Sequence, residues 1–333
     1  MGRAKRSIVR AFARCAAVAL AVVTLSQSPL AMADDYPNRA ITMIVPWPAG
    51  GAVDTLVRAV GPKLAERLGK PIVVENRPGA GSTLGTTAAA KAAPDGYTLG
   101  VPGSGSLTIG PTLYKKLPYD PLKDFEHIAL IGRVPFVLVV NPALPVRTVP
   151  DLIKYSKENP LSFASGGAGS PHHLYAELFK SMTGIQMTHI PYKGSAPAVQ
   201  DVVAGHVPLM FCDPAPAVPL IRDGKVRAIG VTTLTRWLVA PEIPTLNEAG
   251  LPGFEAAGWF FVSAPAGTSK AIVNRLHADL KAVLGNADVQ QVVNRTGVVP
   301  VVSPPIEELT RLVNSEAARW SKVVIQAGLA GSE

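Results

Sequence analysis

The stretch that decides the fold lies near the start of the chain and reads I-T-M-I-V-P-W-P-A-G-G-A-V-D over residues 41–54. A β-branched run ends at a proline, Gly50 and Gly51 follow, and apolar residues then recur at helical spacing as far as Leu68. This pattern predicts a strand, a sharp turn and an amphipathic helix. The first N–H groups of such a helix have no internal partner and suit a small carboxylate, although the plainer interpretation is an ordinary strand-to-helix turn of an α/β fold.

Strands alternate with helices along most of the remaining chain, which favours parallel-rich sheets with helices on both faces. Polar glycine-rich loops follow strands at four places in both halves of the chain: residues 46–51, 79–83, 103–106 and 165–170. Ligands of such sheets bind outside the carboxyl ends of the strands. We therefore expect a crevice between two domains that is lined from both sides.

The first 33 residues have the features of a secretory signal. Five basic residues and no acidic one accompany an apolar run from Cys15 to Leu25, and Ala31-Met32-Ala33 is a small-residue cleavage site. The run is too short to span a bilayer comfortably, so we expect export with cleavage after Ala33. The alternative is an uncleaved anchor helix.

Charge and cysteine content narrow the class of protein. The formal charge of +8 falls to +3 when the five basic residues of the signal are removed, and no dense basic run follows, so nucleic acid is not an expected partner. Cys212 is the only cysteine after the signal, which excludes an internal disulfide bond. A chain of 333 residues is long enough for two domains held together by their cores.

Motifs of enzymes and cofactor sites are weak. The run G-A-G-S-T-L-G at 79–85 follows a strand, but no ribose-binding acid stands clearly downstream, so we expect no cofactor. The chain has no phosphate-binding loop motif and no G-x-S-x-G, and we expect no catalytic residue. Of His172, His173 and Glu177, only the last two share a helical face, and a metal would need a third ligand. We expect no metal, and histidines at the surface or at the edge of the crevice.

Cys212 and Asp213 follow a predicted strand. The apolar flank of Cys212 predicts a buried thiol. Asp213 is better placed to cap the next helix than to act as a base, because Asp is among the preferred capping residues.

The chain resembles the Bug family of periplasmic solute-binding proteins, which are receptors of tripartite tricarboxylate transporters. Beyond residues 36–54, the matching segments include V-V-E-N-R-P-G-A-G-S (73–82), A-S-G-G-A-G-S-P-H-H-L-Y-A-E-L-F-K (164–180), H-I-P-Y-K-G-S-A-P-A-V-Q-D-V-V-A-G (189–205) and P-E-I-P-T-L-N-E-A-G (241–250). These segments stand in one order along nearly the whole chain after the signal.

The resemblance implies a two-domain periplasmic-binding-protein type II fold with two interdomain crossovers. Residues 34–133 and 257–333 would form domain 1, and residues 134–256 would form domain 2. It implies a periplasmic, monomeric receptor that binds a small organic carboxylate and delivers it to the large and small membrane subunits of a transporter. A ligand sensor that partners a membrane signalling protein remains an alternative, as does an exported α/β hydrolase.

In that family the loops matching Pro46–Asp54 and Ser165–Gly169 grip a ligand carboxylate from opposite lobes, through backbone N–H groups and bridging waters. Together with the other strand-end loops, this implies fourteen binding residues: Trp47, Ala49, Gly50, Gly51, Asp54, Ser82, Thr83, Ser104, Ser165, Gly166, Gly169, His172, Gly194 and Asp213.

Some positions depart from the family. Ser82 stands where the family often has a glycine, and Trp47, His172 and residues 211–214 are individual to this chain. We expect these positions to recognise the far end of the ligand. Because the loops offer no obvious arginine clamp, we expect a mono- or dicarboxylate with an apolar or aromatic body rather than citrate. If Asp213 faces the ligand, it should reject a second carboxylate and favour a hydroxyl or an amine.

Overall fold

The computed structural model describes residues 36–295 and 297–332, so the predicted signal and its cleavage site lie outside the described residues. The strands are β1 (Ile41–Val45), β2 (Ile72–Asn76), β3 (Thr98–Gly100), β4 (Phe125–Pro135), β5 (Val137–Val140), β6 (Leu161–Ser165), β7 (Met187–Pro191), β8 (Leu209–Cys212), β9 (Arg227–Val231) and β10 (Ala257–Pro265).

The α-helices are α1 (Ala52–Leu68), α2 (Thr83–Ala90), α3 (Gly110–Leu113), α4 (Val149–Ser156), α5 (Pro171–Thr183), α6 (Ser195–Ala204), α7 (Pro214–Arg222), α8 (Lys270–Leu284), α9 (Ala287–Arg295) and α10 (Ile306–Gln326). None of the helices in the described part of the chain combines the length and apolarity needed to cross a bilayer.

Two five-stranded sheets organise the fold, in the orders β2-β1-β3-β10-β4 and β7-β6-β8-β5-β9. We call the sheet with β1–β4 and β10 the first lobe, and the sheet with β5–β9 the second lobe, each with its flanking helices. In each sheet the first three strands pair in parallel and the remaining pairings are antiparallel. Both sheets are therefore mixed. In the parallel half of each sheet, the loops between strand ends and the following helices all lie at the carboxyl edge.

The chain passes between the two sheets twice, which agrees with the crossovers expected from the sequence. Phe136 alone joins β4 to β5, and residues 232–256 join β9 to β10. The strands β4 and β5 are thus nearly continuous in sequence, but each pairs with a different sheet.

Local sequence explains where the helices begin and end. The apolar positions of α1 are buried from Val53 to Leu68, and the helix ends at Gly69 in the left-handed conformation (φ 69°) that glycine adopts without strain. Helix α4 begins with a capping box between Thr148 and Asp151. One expectation was wrong here: the predicted loop 103–106 is partly helical, because a π-helical turn spans Gly105–Ile109.

The C-terminal helix α10 packs into the cores of both lobes. Its Leu309 and Val313 belong to a cluster with Ile44 and Phe261 of the first lobe. Further along the same helix, Trp320, Val323 and Val324 join the core of the second lobe, where the ring of Trp320 lies 5.4 Å from that of Tyr175. The sequence assigned all of 257–333 to domain 1. The domain limits stay a prediction, and α10 contributes side chains to the cores on both sides of the predicted limit.

The packing of α10 can be tested by truncating Trp320, which is 1% exposed and donates its indole N–H to Glu316 at 2.9 Å. We expect Trp320→Ala to lower the free energy of unfolding by about 3–5 kcal/mol, measured by denaturant titration. The matched control is Ile325→Ala on the same helix, because Ile325 is 58% exposed and should change stability by only about 0.5 kcal/mol. Equal losses for the two variants would contradict this account.

Candidate functional site

Asp54 organises the loop after β1. Its Oδ2 accepts hydrogen bonds from Gly50 N–H at 2.8 Å and from Arg58 Nε at 2.9 Å, and its Oδ1 accepts from Asn76 Nδ2 at 2.9 Å. The hydrogen bond from Arg58 outweighs the effect of burial, and with the bonds from Gly50 and Asn76 it lowers the pKa of Asp54 to about 2. The carboxylate is 3% exposed and its oxygens already have partners. Its role in the structure is therefore to hold the loop in shape.

The start of α1 supplies the donors predicted for this loop. Gly51 is the N-cap of the helix, and its N–H points to Pro48 O at 3.4 Å. Within the described chain no acceptor pairs with the amides of Ala52 and Val53. Because Gly50 N–H is taken by Asp54, these two amides are among the donors that remain for an anion.

Trp47 and Ser104 meet beside the same loop. The Trp47 ring packs edge-on against Phe260, with centroids 5.1 Å apart, and it closely approaches Gly103. Asn76 also donates to the carbonyl of Trp47 at 3.1 Å. Ser104 Oγ accepts a weak bond from Trp259 N–H at 3.4 Å, so this buried hydroxyl already has a protein partner.

The loop at 79–83 has unusual backbone geometry. Ala80 and Ser82 take positive φ angles of 47° and 77°, which non-glycine residues rarely adopt. Ser82 is buried and its side chain caps no helix. The neighbouring Thr83 Oγ1 is buried with no hydrogen-bond partner among the described residues. Strain of this kind concentrates at functional sites, so the geometry agrees with a ligand-facing role for the loop.

In the second lobe, loop 165–170 is tied down by side chains beneath it. Gly167 N–H donates to Ser165 Oγ at 3.1 Å, and Gly169 N–H donates to His173 Nδ1 at 3.2 Å. The loop after β7 joins it, since Gly194 N–H donates to Gly166 O at 3.2 Å. Ser165, Gly166, Gly169 and Gly194 thus lie together at the carboxyl ends of β6 and β7, where Ser165 and Gly169 are buried and Gly166 and Gly194 are partly exposed.

Both adjacent histidines are buried, so the expectation of surface histidines was wrong, and a place for His172 at the edge of the crevice stays a prediction. His173 stacks on His189 with centroids 3.7 Å apart, and its Nε2 lies 3.7 Å from Glu177 on the shared helical face. His172 is 8% exposed, packs edge-on against Phe136, and its Nε2 lies 2.8 Å from Asp213 Oδ2.

Asp213 stands at the N-cap position of α7 but does not cap it through its side chain. Its carboxylate pairs with His172 instead, which corrects the capping expectation. Burial raises the pKa of Asp213, but the hydrogen bond from His172 and the nearby Ser195 hydroxyl act against burial, and the pKa lies below its ordinary value. The neighbouring thiol of Cys212 is buried as predicted, and burial raises its pKa, so it is not an activated nucleophile.

The loops of the second lobe also touch the first lobe. Gly169 packs so closely on Leu113 of α3 that a Cβ at this position would lie 2.5 Å from Leu113 Cδ2. A Cβ at Gly297 would similarly lie 2.8 Å from Pro214, next to Asp213. These contacts bring the strand-end loops of the two lobes to a common boundary.

A groove of about 520 Å³ opens along this boundary beside α7. Apolar side chains of α7 and the 237–239 segment line it together with Arg222 and Arg295. None of the fourteen predicted residues lines it. No role for these two arginines follows from the sequence, because they are far apart in the chain and meet only in the lining of this groove.

The structure therefore groups the predicted residues by lobe. Ala49 lies at the exposed tip of the first loop, beside Gly50. The residues that the sequence missed are those that hold the loops, namely Asn76, Arg58, His173 and His189. The sequence could have indicated Asn76, because this residue ends β2 next to the end of β1, at the carboxyl edge of the sheet. Among the described residues no group of three or more His, Cys, Asp or Glu side chains could hold a metal ion.

Comparisons with known proteins agree with this geometry. The family model described as "Tripartite tricarboxylate transporter family receptor" matches residues 56–329. Protein BugT of Bordetella pertussis is 37% identical over 316 residues, which cover 94% of this chain and 97% of BugT.

Solved structures of periplasmic solute-binding proteins are also similar to this chain. A protein from R. palustris solved with adipate is 38% identical, with a TM-score of 0.75, and the match covers 89% of this chain and 99% of that one. MatC from Rhodopseudomonas palustris, solved with bound malate, is 36% identical, with a TM-score of 0.71, and the match covers 87% and 100%. The resemblance to the Bug family and the two-domain α/β fold predicted from the sequence are confirmed.

The stacked histidines beneath loop 165–170 predict a pH-dependent stability. Burial, followed by repulsion from His173, lowers the pKa of His189 from 6.5 to about 4. His189 therefore takes up its proton at a higher pH in the unfolded chain than in the folded one. The free energy of unfolding should fall as the pH drops from about 6.5 towards 4. We expect His189→Gln to lessen this fall in denaturant titrations, whereas His206→Gln, at a ring that is 71% exposed, should not. A fall of unchanged size in His189→Gln would argue against the stack as a cause.

Proposed function

This chain belongs to the tripartite tricarboxylate transporter receptor family, and from that premise we propose that it captures a small organic carboxylate between its two lobes and delivers it to the large and small membrane subunits of a transporter. Members of this family are solute-binding receptors, and the chain is accordingly a binding protein rather than an enzyme. We further propose that it acts as a monomer in the periplasm, after cleavage of its signal behind Ala33.

The observation that carries the proposal is the pair of donor surfaces at the carboxyl ends of the parallel strands. In the first lobe, Asp54 holds the loop so that the amides of Ala52 and Val53 remain available. In the second lobe, the amides of Gly167, Gly169 and Gly194 are used within the loops, whereas those of Gly166 and Ala168 have no acceptor among the described residues. Backbone N–H groups at helix starts bind a carboxylate well.

Such a grip also suits a receptor that must release its ligand. Backbone donors hold an anion without a buried side-chain cation, so release does not leave an unpaired buried charge. Contacts to both lobes would favour the closed arrangement, because a ligand stabilises the state in which it makes more contacts. A dissociation constant near micromolar, about −8 kcal/mol, would allow both capture and release.

The solved relatives suggest the chemical class of the ligand. Those proteins were solved with adipate and with malate, both small aliphatic carboxylates. In this chain, Trp47 is half-buried and rests on Phe260, so it offers an apolar surface beside the donor loop. We propose a small carboxylate with an apolar body as the ligand of this chain.

The test is a screen of carboxylates against variants at two matched glycines. Gly50 (φ +79°) and Gly184 (φ +73°) both have open space where a Cβ would lie, so valine adds similar backbone strain at each. We expect a ligand present at a hundred times its dissociation constant to stabilise the wild type by about 2.7 kcal/mol in thermal unfolding. Gly50→Val should abolish this stabilisation, because its side chain occupies the ligand's approach, and Gly184→Val should retain it.

Two results would oppose the proposal. If no carboxylate stabilises the wild type, the chain does not have this ligand class. If Gly50→Val and Gly184→Val bind a positive ligand equally well by calorimetry, the first loop is not part of the site.

The position of the mature N-terminus is a separate prediction. We expect mass spectrometry of protein recovered from the periplasm to show a chain that begins at Asp34, because Ala31-Met32-Ala33 follows an apolar run of signal-peptide length. A recovered chain that still carries Arg3–Arg14 would show that the segment remains as an anchor.

A further inference from the structure

Three polar side chains meet where α5, α6 and α7 begin in the second lobe. They are His172 in the first turn of α5, Ser195 at the start of α6 and Asp213 just before α7. The three helices follow β6, β7 and β8, which are neighbours in the sheet, so these side chains lie at one edge. Pro214 links this edge to the first lobe through its contact with Gly297.

The Asp213 carboxylate is held in place but remains accessible. Its Oδ2 is 2.8 Å from His172 Nε2, and its side chain is 32% exposed, whereas that of His172 is 10% exposed. Oδ1 has no hydrogen-bond partner among the described residues. One oxygen is therefore used for orientation, while about a third of the side-chain surface stays accessible.

The environment of His172 decides which ring nitrogen carries the proton. Nδ1 is buried and without a partner among the described residues, and a Cβ at Gly166 would lie 3.2 Å from it. An ionised carboxylate only accepts hydrogen bonds, so the 2.8 Å contact between Nε2 and Asp213 Oδ2 requires the proton on Nε2. The favoured form carries its proton on Nε2 and donates it to Asp213.

Ser195 completes the group. Its Oγ is buried and has no partner of ordinary hydrogen-bond geometry in the described chain. It nevertheless lies close enough to Asp213 to stabilise the charged carboxylate. A hydroxyl both donates and accepts, so Ser195 can pair with a ligand group that already donates to Asp213.

We propose that Asp213, oriented by His172 and supported by Ser195, forms a subsite that accepts a hydrogen-bond donor at the far end of the carboxylate ligand. The preferred ligand then carries a hydroxyl or a protonated amine at that end, and a second carboxylate is excluded at neutral pH. This inference rests on the proposed function, since it assigns the far end of the same ligand.

The exclusion follows from charge. Asp213 is ionised at neutral pH, because His172 holds its pKa below the ordinary value. A ligand carboxylate facing Oδ1 would find an acceptor and a like charge, while Ser195 offers a single O–H to satisfy both. A hydroxyl or ammonium group instead donates to Oδ1 and needs no further cation.

The experiment compares chain-matched probes by calorimetry at pH 7.5. Hexanoate, 6-hydroxyhexanoate, 6-aminohexanoate and adipate form one series, and butyrate, 4-hydroxybutyrate, 4-aminobutyrate and succinate form the other. In at least one series we expect the wild type to bind the hydroxy or amino acid at least about tenfold more tightly than the dicarboxylate. Asp213→Asn should remove or reverse that ratio and change the affinity for the simple monocarboxylate by less than about threefold.

Two further variants separate a specific role from a general disturbance. Asp201→Asn is the matched control, because Asp201 lies on α6 of the same lobe, is 37% exposed and pairs with Tyr192 and His206 away from the subsite. It should leave every ratio unchanged. Ser195→Ala keeps the charge of Asp213, so it should weaken binding of the hydroxy acids while the dicarboxylates stay excluded. It also tests the proposal if Asp213→Asn does not fold.

The outcomes distinguish this inference from the proposed function. If the wild type binds the probes but prefers the dicarboxylates, or if Asp213→Asn keeps the wild-type ratios, the subsite is wrong and carboxylate capture stands. If neither the wild type nor Asp201→Asn binds any carboxylate of the panel or of the wider screen, carboxylate capture fails and the subsite fails with it.

Discussion

The parallel pairing of β1 with β2 and β3, and of β6 with β7 and β8, is the constraint on which the site depends. Parallel strands need a crossover, here a helix, so each strand end is followed by a turn and a helix start. The unpaired amides of several helices therefore collect at one edge of each sheet. The chain crosses between the sheets at β4–β5 and β9–β10, and the close approaches of Gly169 to Leu113 and of Gly297 to Pro214 bring loops of the two lobes together.

The backbone amides at these sheet edges can bind a ligand only if their loops keep one conformation, and each lobe fixes its loop in a different way. In the first lobe a single buried carboxylate, Asp54, ties Gly50, Arg58 and Asn76 together. In the second lobe the loop rests on stacked aromatic rings, with His173 accepting from Gly169 and packing on His189. The contribution of Asp54 to stability is lost as the pH falls from about 4 towards 2, and that of the uncharged His189 ring is lost as the pH falls from about 6.5 towards 4. The two lobes therefore respond to acid through different groups.

Strand and helix order was readable from the sequence because apolar periodicity and glycine punctuation are local signals. The run at 41–54 and the loop at 165–170 both fold as their patterns predict. The partners of the site side chains were not readable, because they depend on neighbouring strands that lie far apart in sequence. Asp213 sits at a helix start, as its type predicts, yet it pairs with a histidine 41 residues away. The role of α10 was not readable for the same reason, because its two ends pack into the cores of different lobes.

The two ends of the crevice therefore differ in kind. The donor end is made of backbone amides, whose placement depends on glycines and on the fold, so any chain with this architecture can present it. The other end is made of side chains, and His172, Ser195 and Asp213 can each be exchanged without changing a strand or a helix. A receptor fold can then keep a common grip on carboxylates while single substitutions change which far end it accepts. In this chain, that end presents an oriented carboxylate, so it recognises a ligand by the proton that the ligand donates.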